Sequence, residues 1–449
     1  MMFFDEILNS IDEIIKGKNV YLVGGYLRNY FLNKEISSDR DLVVLDNSRA
    51  LALEIAQKLN GTFVELDCEN EIYRVVLEDK KNYFDISKAL NNNLDEDIKR
   101  RDFTINSIFY DLNKKEIIDP FNGIKDIENK ILRTVDFDNF IDDPLRFLRL
   151  YRFKSLLGFN IDDELEKFTK EKFFLINNVA KERINYEIIK MFEGKYICET
   201  LLDMYENGVL EIIFPFVKEI KRVPSNSHHH LDLIHHSIET VKNIETDNPL
   251  LKIAAFYHDI GKPATWTIEP LGRHRFIGHD IKGAQIAKKE LEDLKFSNKQ
   301  ISYITDMIRY HIYPASLVNS ADNKKAFARF VRKLGANSLD VIALSKADRL
   351  SALGEAVTKE MVEKSLNHLD ELKKYYESVK DIANCPKSLL DGREIMEILN
   401  LKPSKIIGEI IEELKELQLM GEIKTKEEAI SYIKNKAVKA DFNGTKIKQ

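Results

Sequence analysis

The sequence predicts an α+β chain, a sheet-bearing head followed by helices, on three observations. Between about residues 20 and 140, short β-like runs (Tyr21–Val23, Leu42–Leu45, Thr62–Leu66, Tyr73–Leu77, Tyr83–Ile86) alternate with helical patterns, as in an α/β or α+β domain. From Asp143 onward strand signals nearly vanish, and apolar residues recur with helical spacing at Leu145, Leu148, Leu150 and Phe153, then at Ile184, Ile188, Ile189 and Phe192. The 449 residues are a prior for roughly two to four domains and hold apolar material for more than one core. Pro224-Ser225-Asn226-Ser227 and Pro386-Lys387-Ser388 mark plausible boundaries, and neither a repeat nor low complexity is evident. The expected division is 1–140, 141–225, 226–352 and 353–449, with residues 434–449 fraying at the end.

The first element of interest is residues 20–45, where Val20–Val23 runs into Gly24-Gly25, a short helix carrying Arg28, and a strand with Asp39 and Asp41. Two glycines let the backbone approach a bulky anion and offer it N–H groups. Asp39 and Asp41 alternate at the start of the apolar run Leu42–Leu45, so strand geometry puts both carboxylates on one face. Two hard oxygen ligands so placed suit Mg²⁺. A lone Gly-Gly is more often a turn, and a lone Asp-x-Asp a solvated strand end. In this order they form a cradle for a metal-bound triphosphate.

Composition narrows the setting. A formal net charge of −6 does not advertise a nucleic-acid binder, although it averages over regions that differ. Cys68, Cys198 and Cys385 lie far apart without a CxxC pair, which fits a reducing compartment and argues against a disulfide framework or zinc ribbon. They are expected to be buried thiols. MMFFDEILNS carries acidic residues where a signal peptide needs positive charge, and no apolar run approaches the ~20 residues of a membrane span. A cytoplasmic protein with no membrane partner is expected.

Two further elements are basic. KRRDFTINSIFYD (99–111), followed by IDPFNG (118–123), reads alone as a solvated turn before a strand, but beside the cradle Arg101 could neutralise phosphate charge. Asn106 and Asp119-Pro120 look like residues that fix a loop against the sheet. In DDPLRFLRLYRF (142–153), Arg146, Arg149 and Arg152 repeat along one helical face, for solubility or for an anion. Asp143 and Arg146 suggest a base reader: a carboxylate accepts from an exocyclic amine while a guanidinium donates to a ring nitrogen. Cytosine and adenine both present that pattern; guanine and uracil do not.

GGYLR with DRD, RRDFTIN, DPFNG, DDPLRFLR and ERINYEIIKMF occur in an order that resembles the class II tRNA nucleotidyltransferases, the CCA-adding enzymes and their poly(A) polymerase relatives, over roughly residues 18–200. The resemblance implies a polymerase-β-like nucleotidyltransferase head with a small mixed sheet, then an all-α neck. It implies Gly24, Gly25 and Arg28 on the triphosphate, Asp39 and Asp41 on Mg²⁺, and Arg101, Arg149 and Arg152 around the nucleotide, with Asp143 and Arg146 reading the base. Expected partners are tRNA, CTP and ATP. The implied chemistry is two-metal attack of an RNA 3′-hydroxyl on the α-phosphorus. Asp85, in YFDIS, is a candidate third carboxylate, although an aspartate at a strand edge is usually inert. Two departures stand out. Asp142-Asp143 replaces the family's Glu-Asp, and YFDISKALNNNLDEDIKRRDFT leaves little room for the flexible charged loop of enzymes that add the whole CCA end. Addition of CC alone is therefore as open as addition of CCA.

HHHLDLIHHSIETV (228–241), AAFYHDIGKP (254–263), FIGHDIKGA (276–284), RYHI (309–312) and SKADRLS (345–351) resemble the HD metal-dependent phosphohydrolase domain. The resemblance implies His236, His258, Asp259 and Asp348 around one divalent transition metal, with His279 and His311 as candidate ligands of another. Gly261 and Pro263 read as a helix stop. Nine of the ten histidines fall between 228 and 311, which weighs against a wholly structural role. The segment 392–434 resembles the tail of HD-bearing members, with Pro403-Ser404 where Pro-Gly is usual; Lys402 and Lys405 are expected near tRNA phosphates, against the plainer reading of helices that merely pack. The leading expectation is template-independent addition of C and/or A to tRNA. The alternatives are a poly(A) polymerase or A-adding enzyme and, of another class, an HD phosphohydrolase with a nucleotide-sensing head, against which Asp39 and Asp41 argue.

Overall fold

The structure, a computed structural model, describes residues 5–33, 38–223, 232–270, 274–317, 323–352, 357–384 and 388–442. The boundary segments expected at 224–227 and at Pro386-Lys387 lie outside the described residues, as do Cys385 and residues 443–449. Two compact units are formed, Met1–Ile213 and Phe214–Gln449.

The first unit is built on a mixed seven-stranded sheet: β1 (Val20–Val23), β2 (Asp39–Val44), β3 (Thr62–Asp67), β4 (Ile72–Val76), β5 (Tyr83–Lys88), β6 (Phe109–Asp111) and β7 (Glu116–Ile118). Their spatial order is β3-β4-β5-β2-β1-β6-β7, with β2 and β5 parallel and the other neighbours antiparallel. Cross-strand partners share a face, so the register decides what meets what. Val23 faces Asp41, Asp41 faces Asp85, and Asp85 faces Arg74, which gathers the charged groups on one side. Tyr21, Val23, Val43, Ile98 and Phe109 form an apolar cluster. Leu22, Leu42, Ile86, Phe84 and Val75 alternate onto the opposite side and are fully buried. Two helices belong to this sheet: α1 (Gly25–Phe31), which follows β1, and α2 (Ser48–Lys58), which packs on β4 and β5.

A short helix, α3 (Leu94–Lys99), occupies the brief segment before Arg100, its N-terminus capped by the Asn93 side chain. Beyond the sheet, α4 (Leu145–Leu157) packs against α5 (Lys181–Phe192), burying Phe147, Leu148 and Leu150 on one and Ile184, Ile188 and Phe192 on the other. The vanishing of strand signals is nearly complete. A parallel pair, β8 (Ile131–Leu132) with β9 (Asn160–Ile161), and a later antiparallel pair, β10 (Thr267–Ile268) with β11 (His274–Arg275), are two residues long each.

The second unit is helical: α6 (Leu233–Asn243), α7 (Pro249–Tyr257), α8 (His279–Asp293), α9 (Asn298–Tyr310), α10 (Asn323–Leu334), α11 (Ser338–Ser351) and α12 (Lys359–Asn384), then α13 (Gly392–Leu399), α14 (Lys405–Leu419) and α15 (Lys426–Phe442). Helix α6 packs on α7 and α11, and α9 on α7 and α8. Gly261, expected to stop a helix, has an ordinary negative φ. Its role is close approach: a Cβ there would lie 2.0 Å from the His279 carbonyl oxygen and 2.5 Å from the Gly283 nitrogen.

The cysteines correct one expectation. Cys68 is exposed and Cys198 half-buried, because Cys68 falls in the β3–β4 turn rather than in either strand, with its Sγ 3.2 Å from Glu65. Among the described residues, no helix is long and apolar enough to cross a membrane.

Candidate active site and metal centre

A cavity of about 590 Å³ in the first unit is lined by every nucleotide-site residue expected from the sequence: Gly24, Gly25, Arg28, Asp39, Asp41, Arg101, Asp143, Arg146, Arg149 and Arg152. The turn between β1 and α1 supplies the glycines. Gly24 has φ +75°, and a Cβ there would sit 2.6 Å from Asp41 Oδ2, so no other residue lets the turn lie against the aspartate.

Asp39, Asp41 and Asp85 bring carboxylate oxygens within 4.8 Å of one another. Burial and Asp39 push the Asp41 carboxyl up to about 7, and burial and Asp85 raise that of Asp39, which is what a cation-sized gap between anions does. Asp85 is not at a sheet edge. It lies on interior strand β5 in register with Asp41, and Arg74 on β4 donates to both its oxygens, Nε and Nη2 each at 2.7 Å. The donor set, hard oxygens from two adjacent strands, fits Mg²⁺.

The arginines are held by acids that composition did not single out. Asp97 on α3 is fully buried and accepts from Arg100 Nε at 2.8 Å and Arg101 Nη2 at 3.0 Å. Arg28 Nη1 donates to Asn106 Oδ1 at 2.7 Å, Asn106 Nδ2 to Asp102 Oδ1 at 3.0 Å, and Arg149 Nε to Asp102 Oδ2 at 2.8 Å. Burial alone would raise the Asp102 carboxyl; Arg149, the Asn106 hydrogen bond and Arg146 hold it down to about 2. Glu187 on α5 is buried and meets Arg152 Nε at 3.2 Å and Arg149 Nη1 at 3.9 Å. Burial and the neighbouring Arg152 push the Arg28 guanidinium down to about 10. Asn106 thus belongs to the site rather than to a loop anchor, whereas Asp119 does anchor a loop, accepting from the N–H groups of Gly123 and Ile124.

Asp143 and Arg146, the pair expected to read the base, sit at the start of α4. Asp143 Oδ2 accepts from Arg183 Nη2 at 3.0 Å, and Arg146, which lines the cavity, keeps a buried Nη1 without a hydrogen-bond partner. The stripe of three arginines is no solvated face: Arg149 and Arg152 are largely covered, and the guanidiniums of Arg28, Arg149 and Arg152 surround the Phe153 ring at 5.1, 5.8 and 4.6 Å.

In the second unit, four imidazoles converge. His236, His258 and Asp259 form one group of metal-ligating atoms, and Asp259, His279 and His311 another. Nδ1 of His258, His279 and His311 lies 2.7, 2.8 and 2.6 Å from the carbonyl oxygens of Ala255, Phe276 and Ile308, and His236 Nδ1 lies 3.3 Å from that of Ser351. Each Nδ1–H can thus be donated to backbone, leaving every Nε2 with its lone pair turned inward. The Nε2 atoms of His236 and His258 are 3.2 Å apart, and those of His279 and His311 are 3.3 Å apart. Lone pairs so close repel unless a proton or a metal cation lies between them. Asp259 faces both groups, Oδ2 3.3 Å from His258 Nε2 and Oδ1 3.5 Å from His279 Nε2, and Asp348 Oδ1 is 3.0 Å from His236 Nε2. Imidazole with carboxylate suits a transition metal.

The tail expectation finds a mixed surface. Lys405 is almost fully exposed on a cavity of about 770 Å³, where Arg329 and Arg332 are already paired with Glu416 and Glu412.

Residues 20–133 match the Poly A polymerase head domain, 158–221 the probable RNA and SrmB-binding site of polymerase A, and 228–353 the HD domain. The A-adding tRNA nucleotidyltransferase of Deinococcus radiodurans is 29% identical, covering 92% of this chain and 94% of the relative. The CC-adding tRNA nucleotidyltransferase of Thermus thermophilus is 29% identical over 93% of each chain. The Multifunctional CCA protein of Neisseria gonorrhoeae is 30% identical over 65% of this chain and 73% of the relative. In fold, the crystal structure of the Bacillus stearothermophilus CCA-adding enzyme in complex with CTP matches with a TM-score of 0.67 at 18% identity, covering 97% of each chain. The chain belongs to the class II tRNA nucleotidyltransferases, the family of CCA-adding enzymes and their poly(A) polymerase relatives, and carries an HD domain.

Proposed function

We propose that the protein adds C and/or A nucleotides to the 3′ end of tRNA from CTP and ATP without a template, releasing pyrophosphate, and that the cavity of the first unit is its active site. The observation that carries this reading is the meeting in one cavity of the Asp39, Asp41 and Asp85 oxygens with Asp143 and the unpaired Arg146 donor. Gly24, Gly25 and Arg28 hold the triphosphate, and Arg101, Arg149 and Arg152 balance its charge around the nucleotide. Asp143 accepts from the exocyclic amine of cytosine or adenine while Arg146 donates to the ring nitrogen. Asp39 and Asp41 would hold Mg²⁺, which when bound would supply activation of the attacking hydroxyl and stabilisation of the leaving pyrophosphate. Relatives named CC-adding and A-adding enzymes support the reaction class.

Labelled CTP or ATP, with Mg²⁺ and tRNAs ending before CCA, after C and after CC, tests the reading directly. Incorporation on at least one of them is expected; none on any of them overturns it. One observation favours CC addition alone: residues 89–99 are filled by a 3₁₀ turn and α3, pinned by buried Asp97 to Arg100 and Arg101, rather than by a long loop. A product stopping at CC in the presence of ATP is the expected signature.

The same proposal divides the chain into a head (1–140), neck (141–225), HD domain (226–352) and tail (353–449), at work in the cytoplasm, with Lys402 and Lys405 near tRNA phosphates. His236, His258, Asp259 and Asp348 hold one transition metal, and Asp259 is shared with a second ion at His279 and His311. The converging Nε2 lone pairs support this assignment.

A further inference from the structure

Helix α5 carries a line of side chains that runs from the wall of the nucleotide cavity out to solvent. Residues three and four apart are neighbours on a helix, so Arg183 has Tyr186 to one side and Glu187 to the other. Glu187 is buried against Arg152 and Arg149, which line the cavity. Arg183, half-exposed, donates to Asp143, another lining residue. Tyr186, on the outward side, is 56% exposed and lines no part of the cavity itself. Burial pushes the Arg152 guanidinium down, while Glu187 and, more weakly, Tyr186 oppose it, so the phenol lies near the same wall. Its neighbours on α5, Arg183 and Lys190, are already paired with Asp143 and Glu193. What this side of the helix offers is therefore a ring face rather than a charge.

The proposed reaction brings an RNA end to this spot. Its 3′-hydroxyl has to come within about 3–3.5 Å of the α-phosphorus held in the cavity, so the last nucleotide of the RNA sits at the cavity mouth, its base outside the pocket that takes CTP or ATP. Each addition changes that base. A hydrogen-bonding reader would reject some of the resulting ends, whereas every base has a π-face that stacks on a ring. We infer that Tyr186 is the platform on which the 3′-terminal base of the primer RNA stacks, a contact separate from those that hold the incoming nucleotide. The inference rests on the proposed function of the first unit.

Full-length protein and a tRNA ending before CCA, with 5-iodouridine as its last base, provide the test, because that base photo-crosslinks to an aromatic ring stacked on it. A crosslink at position 186 of the unaltered protein is expected, mapped by mass spectrometry of the digested complex. Tyr186→Ala is expected to lose it and to raise KM for tRNA about 10-fold, with a much smaller change in KM for CTP at saturating tRNA. Tyr186→Phe and Tyr186→Trp, which keep a ring, are expected to restore both readouts, and Tyr186→Leu, which keeps bulk alone, to restore neither. If Tyr186→Ala lowers the melting temperature, the comparison of phenylalanine with leucine carries the test. A crosslink only elsewhere, an unchanged KM for tRNA in Tyr186→Ala, equal rises in the two KM values, or rescue by leucine overturns the stacking platform while the reaction stands. Failure of the unaltered protein to extend any of the tRNAs overturns the proposed function and the platform with it.

Discussion

Asp41 answers to two pressures, burial and its neighbour Asp39, and both favour its protonated form up to about pH 7. The carboxyl is raised above its ordinary value, so the stability it contributes to the metal-free protein is present at low pH and lost as pH rises towards 7. Mg²⁺ at the proposed site would reverse the balance by displacing the proton. The apparent Mg²⁺ affinity, titrated through CTP incorporation, should therefore fall about tenfold per pH unit below 7. A pH-independent affinity refutes this account of the cradle. Asp102 has the opposite sign: its carboxyl is held down to about 2, so its contribution is complete above the ordinary carboxylate range and disappears as pH falls to 2. Asp102→Asn leaves Arg149 without its buried partner and should cost about 3 kcal/mol of stability and raise KM for CTP, measured by denaturant unfolding and steady-state kinetics. Asp39 and Asp41 were legible in the sequence because strand alternation places two carboxylates together by itself. Asp102 and Glu187 were not, since an acid within a basic or apolar stretch reads as solvated until the arginines that neutralise it are known.

At the scale of the element, two glycines set how close neighbouring pieces come. Gly24→Ala forces a positive φ on a residue with a Cβ and pushes that atom against Asp41, so the turn and the aspartate cannot both keep their places. Loss of CTP incorporation by at least about 100-fold, with at most about 2 kcal/mol lost in stability, is expected; wild-type activity would show that the turn does not touch the chemistry. Gly261→Ala drives a Cβ into the start of α8 and should destabilise the second unit by about 3 kcal/mol, visible in thermal unfolding. The five strand runs of the head were readable from their β-branched and aromatic content, but β7 was missed, three residues with two of them exposed. Periodicity also identified α4 and α5 and their apolar faces. It could not show that Glu187, on the inner face of α5, meets Arg149 and Arg152, because helical spacing says where a residue points and not what awaits it there.

For the whole molecule, net charge and function pull apart. The chain is acidic overall, with a formal charge of −6, yet Arg28, Arg100, Arg101, Arg146, Arg149 and Arg152 line one cavity. If tRNA is the substrate, its affinity should fall steeply with salt despite that acidity, by at least about tenfold between roughly 50 and 200 mM monovalent salt. A binding assay showing no such slope contradicts the proposed partner. The sequence by itself determined the division into a sheet-bearing head and a helical remainder, the glycine turn and the paired aspartates. Each of these is a local pattern whose spacing carries its geometry. Tertiary structure alone decided that Asp85 stands beside Asp41, that Asp97, Asp102 and Glu187 hold the arginines in place, that Asp259 faces two histidine groups, and that Tyr186 stands exposed beside the arginine that holds Asp143. Those facts depend on residues far apart in the chain, and their energies come from burial and pairing, which no short stretch of sequence contains.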